Sequence, residues 1–196
     1  MIFSKVLSIS SEEEFCRKNL TDDSPFIDYD FFLSLEKSLC TNKKNGWEPE
    51  HIVIKQNNDT IGFIPNFKKS NSNGEYIFDY AWENAHYQLG KNYFPKYLSA
   101  TPFTPVTRNN FIYGNGKIIK LSLINKLKNF IVSSKVSSFH INFIDKKASE
   151  ELKEVFMQRI GIQYHWKNKN YNSFDDFLDN MKSRKKKKYY KRKKIS

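Results

Sequence analysis

The 196-residue sequence predicts one α/β domain, a mixed sheet flanked by helices. Three observations lead there. Apolar residues make up 39 % and aromatic residues 16 %, enough for a packed core in a chain of this length. The apolar spacing switches repeatedly between the strand period of two and the helical period. The segments then run strand, helix, β-meander, loop, helix, strand, helix, strand. A meander pairs antiparallel and a β-α-β unit pairs parallel, so the sheet holding both is mixed.

Each element has its own signal. "MIFSKVLSI" alternates and reads as a first strand. "SPFIDYDFFLSLEKSLC" sets Ile27, Phe31, Phe32, Leu35 and Leu39 at helical spacing, with Asp28 as N-cap. "HIVIKQNNDTIGFIPNFKK" is a hairpin turning at Asn57 to Asp59, and "GEYIFDYAW" reads as a third strand. "ENAHYQLG" is a short helix stopped by Gly90. Pro95, Pro102 and Pro105 then mark a rigid extended loop, since proline has no N–H for a central ladder. "GKIIKLSLINKLKNFIVSS" repeats Leu123, Leu127, Phe130 and Ile131 as an amphipathic helix. "SSFHINFI" is a short strand, expected at the sheet centre from Phe139 to Ile144. "DKKASEELKEVFMQRIG" is a helix turning Ala148, Leu152, Val155 and Phe156 inward and closed by Gly161. "IQYHWKN" is a strand, and "SFDDFLDNM" opens a helix with Ser173 and Asp176 in capping-box spacing. The domain is expected over 1–181, followed by a polybasic tail at 182–196, disordered or the start of a connecting helix.

The net charge of +12 belongs mostly to that tail. "KSRKKKKYYKRKK" holds ten of the 33 basic residues and no acid, leaving 23 basic against 21 acidic residues elsewhere. A nearly neutral body argues against a folded nucleic-acid module. Cys16 and Cys40 form no CxxC, so neither a disulfide framework nor a zinc site is indicated. No apolar run reaches membrane length, and Glu12 to Glu14 make the N-terminus unlike a signal peptide; a cytoplasmic protein is expected.

Six blocks in order carry a resemblance: "SPFIDYDFFLSLEKS", "GWEPEH", "GEYIFDYAW", "YFPKYLSATPFTPVTRNN", "SSFHINF" and "IQYHWKNKNYNSFDDFL" running into "SRKKKK". From about Ser24 onward the chain resembles a bacterial family of N-acyltransferases described as peptidoglycan-biosynthesis-like. That family is placed near the FemAB aminoacyltransferases within the GNAT fold. The resemblance implies a tandem arrangement of two GNAT-like units, of which this chain matches the first and lacks the second. It implies acyl-CoA or aminoacyl-tRNA as donor and a small-molecule or cell-wall-precursor amine as acceptor. GNAT enzymes bind the coenzyme A pyrophosphate at a Gly-containing turn that opens a helix after the central strand. Here that stretch is "FIDKKASEEL", without glycine and with Glu150 and Glu151 expected near the helix start, where a phosphate would be repelled.

Acyl transfer to an amine needs a base and an oxyanion stabiliser. Asp79, Glu83, His86 and His165 are the candidate bases, with Asp79 and His165 foremost. Asp79 interrupts an apolar run and is either such a base or a strand-end acid bonded to backbone N–H groups. His165, between Tyr164 and Trp166, is either a base or a structural histidine. The proline loop reads either as one wall of an acceptor cleft or as a cover over a sheet edge. In the first reading Trp82, Tyr93, Lys96, Thr104, Thr107 and Arg108 bind substrate. Arg184, Lys185 and Lys188 are expected to bind an anion, with tRNA or another polyanion as the tail's partner. The function expected is therefore an N-acyltransferase half that holds an amine acceptor and is incomplete as a catalyst alone. An anion- or RNA-binding module acting through the tail, and an inactive truncated remnant, are the alternatives.

Overall fold

The computed structural model describes residues 1–20, 25–108, 112–113 and 121–181. The chain divides into two compact units, Met1–Gln158 and Arg159–Ser196.

In the first unit the expected mixed α/β architecture appears as two four-stranded sheets with helices on their faces. The first sheet pairs β1 (Ile2–Val6), β3 (His51–Gln56), β4 (Asp59–Ile64) and β7 (Ile112–Tyr113), in that order and antiparallel throughout. The second runs β2 (Trp47–Pro49), β5 (Phe67–Lys69), β6 (Lys96–Ser99), β8 (Phe139–Ile141), with β6 and β8 parallel. The two sheets share one long hairpin. Strands β2 and β3 form one arm and β4 and β5 the other. The arms break at Glu50 and at Pro65–Asn66, where Pro65 cannot donate to a ladder. Asn66 bridges the break, accepting the Glu50 N–H at its own carbonyl (3.1 Å) and donating from Nδ2 to the Glu50 carbonyl (2.8 Å). The hairpin turn has Asn57 and Asn58 both at positive φ, 51° and 70°, the pair of left-handed residues a two-residue turn of this twist demands.

The alternation of β3 and β6 sorts side chains to two cores. Val53 and Leu98 pack with Ile9, Cys16, Phe32 and Trp47, under α1 (Glu13–Asn19) and α2 (Tyr29–Lys37). Ile52 and Tyr97 face the other way onto Ile124, Leu127, Ile131 and Leu152, from α4 (Leu121–Ser133) and α5 (Lys146–Leu152). Asp28 caps α2, its carboxylate accepting from the Asp30 N–H at 2.7 Å. α3 (Tyr80–Gln88) lies between β5 and β6 in sequence, followed by Gly90 at φ +66°.

Several expectations change. "GEYIFDYAW" is not a strand: Gly74 and Tyr76 have positive φ (75° and 57°), and the stretch turns so that Glu75 and Asp79 point inward. Polar pairing, described below, sets its path instead of a ladder. The proline stretch is no continuous loop, because the fully buried β6 runs between Pro95 and Pro102. β6 therefore takes an interior position, and β8 lies outside it as the last strand among the described residues. α5 ends at Leu152, nine residues before Gly161, as a turn brings Phe156 against Phe139 (ring centroids 5.9 Å apart).

In the second unit α6 (Phe174–Asp179) begins as read, Ser173 Oγ accepting the Asp176 N–H at 3.1 Å. Trp166, Tyr171 and Phe177 group together, with ring centroids 5.3 to 6.3 Å apart. The segment 162–168 is exposed and in no ladder. Its strand-like composition goes unexpressed because β-propensity reflects packing against paired neighbours. The tail at 182–196 lies outside the described residues, and with it Arg184, Lys185 and Lys188. No described helix is long and apolar enough to cross a membrane.

Candidate functional site

Strand register builds an unusual row. On one face of the second sheet Trp47, Lys69 and Lys96 are paired across β2, β5 and β6. Two lysines directly opposite repel each other, and both are fully buried. Counter-charges come from the segment before α3, where Glu75 and Asp79, four residues apart, are 2 % and 1 % exposed. The Lys96 ammonium donates to Glu75 Oε2 (2.9 Å), Ser72 Oγ (3.1 Å) and Asp79 Oδ2, so its three N–H donors are all used within the protein. Tyr93 OH donates to the same Asp79 oxygen at 2.6 Å. Lys69 donates to the Asn73 carbonyl at 3.2 Å, stands 3.9 Å from Glu75 Oε1, and lies 3.6 Å from the Trp47 ring centroid.

Burial governs the electrostatics. It drags the Lys69 ammonium down to about 7, with Lys96 adding repulsion and the Glu75 charge only partly compensating. Burial likewise raises the Glu75 carboxyl, against the pull of both lysines. Asp79 goes the other way: burial pushes its carboxyl up, but hydrogen bonds from Lys96, Tyr93 and Ser72 outweigh this and hold it below the usual range. Lys69 and Glu75 form a buried pair of opposite charge at 3.9 Å, beyond hydrogen-bond reach. The pair is sealed from solvent, so in this conformation it braces its surroundings. Phe103 caps the arrangement, its ring centroid 5.0 Å from that of Trp47.

The structure thus joins Asp79, Tyr93 and Lys96 in one network. Trp82 sits one turn into α3 with its side chain exposed. His86 Nδ1 pairs with the Trp82 carbonyl at 2.9 Å, and Glu83 is half-buried on the same helix. Thr104 is half-buried and donates to the Pro102 carbonyl at 3.2 Å, and Thr107 is exposed. Arg108 is buried elsewhere, against Phe32. His165 belongs to the second unit, is exposed, and lies 3.1 Å from Gln163 Oε1.

Sequence reading missed three features. A groove of about 650 Å³ opens in the first unit, lined by Ser8, Glu13, Arg17, Tyr29, Glu48 and Thr41 among others. The Thr41 hydroxyl is buried there without a hydrogen-bond partner among the described residues, and burial together with the nearby Glu13 carboxylate raises the Tyr29 hydroxyl. Beneath it Glu36 accepts from His51 Nε2 (2.8 Å), Ser8 Oγ (2.6 Å) and the Ile9 N–H (3.1 Å). The Asn66 N–H donates to His51 Nδ1 at 3.1 Å, which fixes the proton on Nε2. Burial would raise the Glu36 carboxyl, but these bonds lower it. No motif announces the groove, because it is assembled from segments up to 42 residues apart.

The third feature is Asp145. It caps α5 by accepting the Ala148 N–H at 2.7 Å, so a carboxylate already occupies this helix start. Glu150 and Glu151, expected near that start, fall instead at the far end of α5, whose first residues are Lys146 and Lys147.

The family described as FemAB_like, peptidoglycan biosynthesis/recognition, matches residues 9–196. No curated protein matches the chain, and no solved structure does.

Proposed function

The chain belongs to the FemAB-like family, and from that premise we propose that it serves transfer of an acyl or aminoacyl group to an amine-bearing cell-wall precursor, with the Tyr29–Thr41 groove as the acceptor site. The observation that carries the reading is a family match covering nearly the whole chain. The groove supports the placement. Its volume falls in the range of small-molecule sites, about 300 to 1,000 Å³. The buried Thr41 hydroxyl, without a partner among the described residues, favours a polar ligand that bonds it. Its rim carries both signs, Glu13 and Glu48 beside Arg17, Lys37 and Lys43, which suits a ligand bearing an amine and anionic groups.

In this reading the Lys69–Glu75–Lys96–Asp79 network is a brace. It fixes α3 and, through Trp47 and Phe103, the loop after β6. The donor's phosphates are not expected at the start of α5, where Asp145 supplies a competing negative charge. The protein alone is accordingly expected to give no transfer from acetyl-CoA.

The test is a titration of isotope-labelled protein with a soluble muropeptide carrying a free side-chain amine. Amide resonances of Ser8, Tyr29 and Thr41 should shift in a saturable way, and Thr41→Val with Tyr29→Phe should weaken the response at least tenfold. Saturable shifts confined to other surfaces, or no shifts at millimolar ligand, would overturn the assignment.

A further inference from the structure

Arg108 presents an unpaid electrostatic cost. Its side chain is 4 % exposed, yet Nε, Nη1 and Nη2 have no hydrogen-bond partner among the described residues. Among the described residues no charged group stabilises it: burial acts on the guanidinium and pulls it down to about 9. Its ζ carbon lies 5.3 Å from the Phe32 ring centroid, a contact that supplies no hydrogen-bond acceptor to the five N–H groups of the fork. A buried cation left in this state opposes folding, so the position is explained by something that binds it.

Its placement agrees. The Arg108 N–H donates to the Phe143 carbonyl at 2.9 Å, two residues past the end of β8. β6 and β8 are parallel, with Ser99 paired to Ile141, so Arg108 is anchored where both strands end. Ligands of open α/β sheets bind outside the carboxyl ends of such strands. Thr101, two residues past the end of β6, adds a buried hydroxyl that also has no partner among the described residues.

We propose that Arg108 is the centre of a carboxylate-binding site at the carboxyl ends of β6 and β8. The charge count selects the ligand class. One guanidinium with no other charged neighbour is neutralised by one planar monoanion, whose two oxygens match the fork. A phosphate, carrying up to two negative charges, would leave a surplus buried. A peptide-like terminal carboxylate therefore fits. Arg108 is not among the residues lining the acceptor groove, and either assignment can fail without the other.

The probe is N-acetylalanine, with inorganic phosphate as the competing arm and ionic strength held constant with chloride. N-acetylalanine should raise the melting temperature of the wild-type protein in a saturable way, while phosphate should act no differently from chloride. Arg108→Met should lose the response and melt higher than wild type without ligand, because a buried unpaired charge has been removed. A purely structural arginine gives the opposite: Arg108→Met melts lower or fails to fold, and the wild type ignores N-acetylalanine. Arg108→Lys keeps the charge and loses the fork, so it should bind N-acetylalanine at least tenfold more weakly. Equal binding by Arg108→Lys, or saturation by phosphate in place of N-acetylalanine, would also overturn the proposal.

Discussion

Lys69 and Lys96 stand directly opposite each other across β5 and β6, two buried side-chain amines in register on one face of a sheet. They are not equivalent. Lys96 directs its donors to Glu75, Asp79 and Ser72, whereas Lys69 has one hydrogen bond among the described residues, to the Asn73 carbonyl, and the Trp47 face. Lys96→Met would strand two buried carboxylates and should cost about 3–5 kcal/mol, the usual loss when one partner of a buried pair is removed. Lys69→Met keeps the packing on Trp47 and relieves the repulsion, so it should change stability by less than about 1.5 kcal/mol at neutral pH. Urea midpoints of the two variants decide this, and similar losses in both would show that the lysines act as one unit.

Gly74 and Gly90 separate steric contact from backbone strain. Both have positive φ, +75° and +66°. A Cβ on Gly74 would come 2.7 Å from Phe103 Cδ1 and 3.3 Å from Trp47 Nε1, while at Gly90 nothing lies within 4 Å. Gly90→Ala should therefore cost only the left-handed strain, about 1 kcal/mol. Gly74→Ala adds displacement of Phe103 from the indole and should cost about 2–4 kcal/mol by thermal or urea unfolding. A quenched or shifted tryptophan emission should accompany only the Gly74 change. Equal costs would mean that the Phe103 cap does not hold this loop.

What the sequence made legible follows from what is local. The Asp28 and Ser173 caps, the Asn57–Asn58 turn and the Leu123–Leu127–Ile131 stripe are each written within a few residues, and each forms as read. β6 is illegible in the sequence because its four residues sit between prolines and show no apolar–polar alternation, all four being buried although they face two different cores. "GEYIFDYAW" has strand composition, but Glu75 and Asp79 answer to Lys69 and Lys96, which only register brings together. The same holds for the candidate site. Asp79 stands out in the sequence as an acid in an apolar run, with Tyr93 and Lys96 as candidates beside it. Lys69, whose ammonium burial pulls down to about 7, reads as an ordinary strand-end lysine in "NFKK".

The depressed Lys69 gives stability a defined pH dependence. Its ammonium titrates at about 7 in the folded protein, against an ordinary value of 10.5. Between those values the unfolded chain binds a proton that the native state does not. Stability from this group therefore rises with pH across that window, with a slope of at most about 1.4 kcal/mol per unit. Below about 7 both states are protonated and the contribution is flat at its lowest. Glu75 works in the opposite direction and lower down: its carboxyl is raised above 4.5, so its contribution falls as pH climbs from there through its folded value. Subtracting the unfolding free energies of Lys69→Met from those of wild type, pH by pH, cancels the groups that do not interact with Lys69 and leaves Lys69 with its effect on Glu75. The difference should grow in favour of wild type from pH 7 to pH 10. Carbon-13 spectra of ε-labelled lysine should show one resonance with a midpoint near 7 that Lys69→Met removes. Parallel stability profiles, with no lysine resonance titrating near 7, would show that Lys69 keeps its proton and that Glu75 neutralises it as a full ion pair.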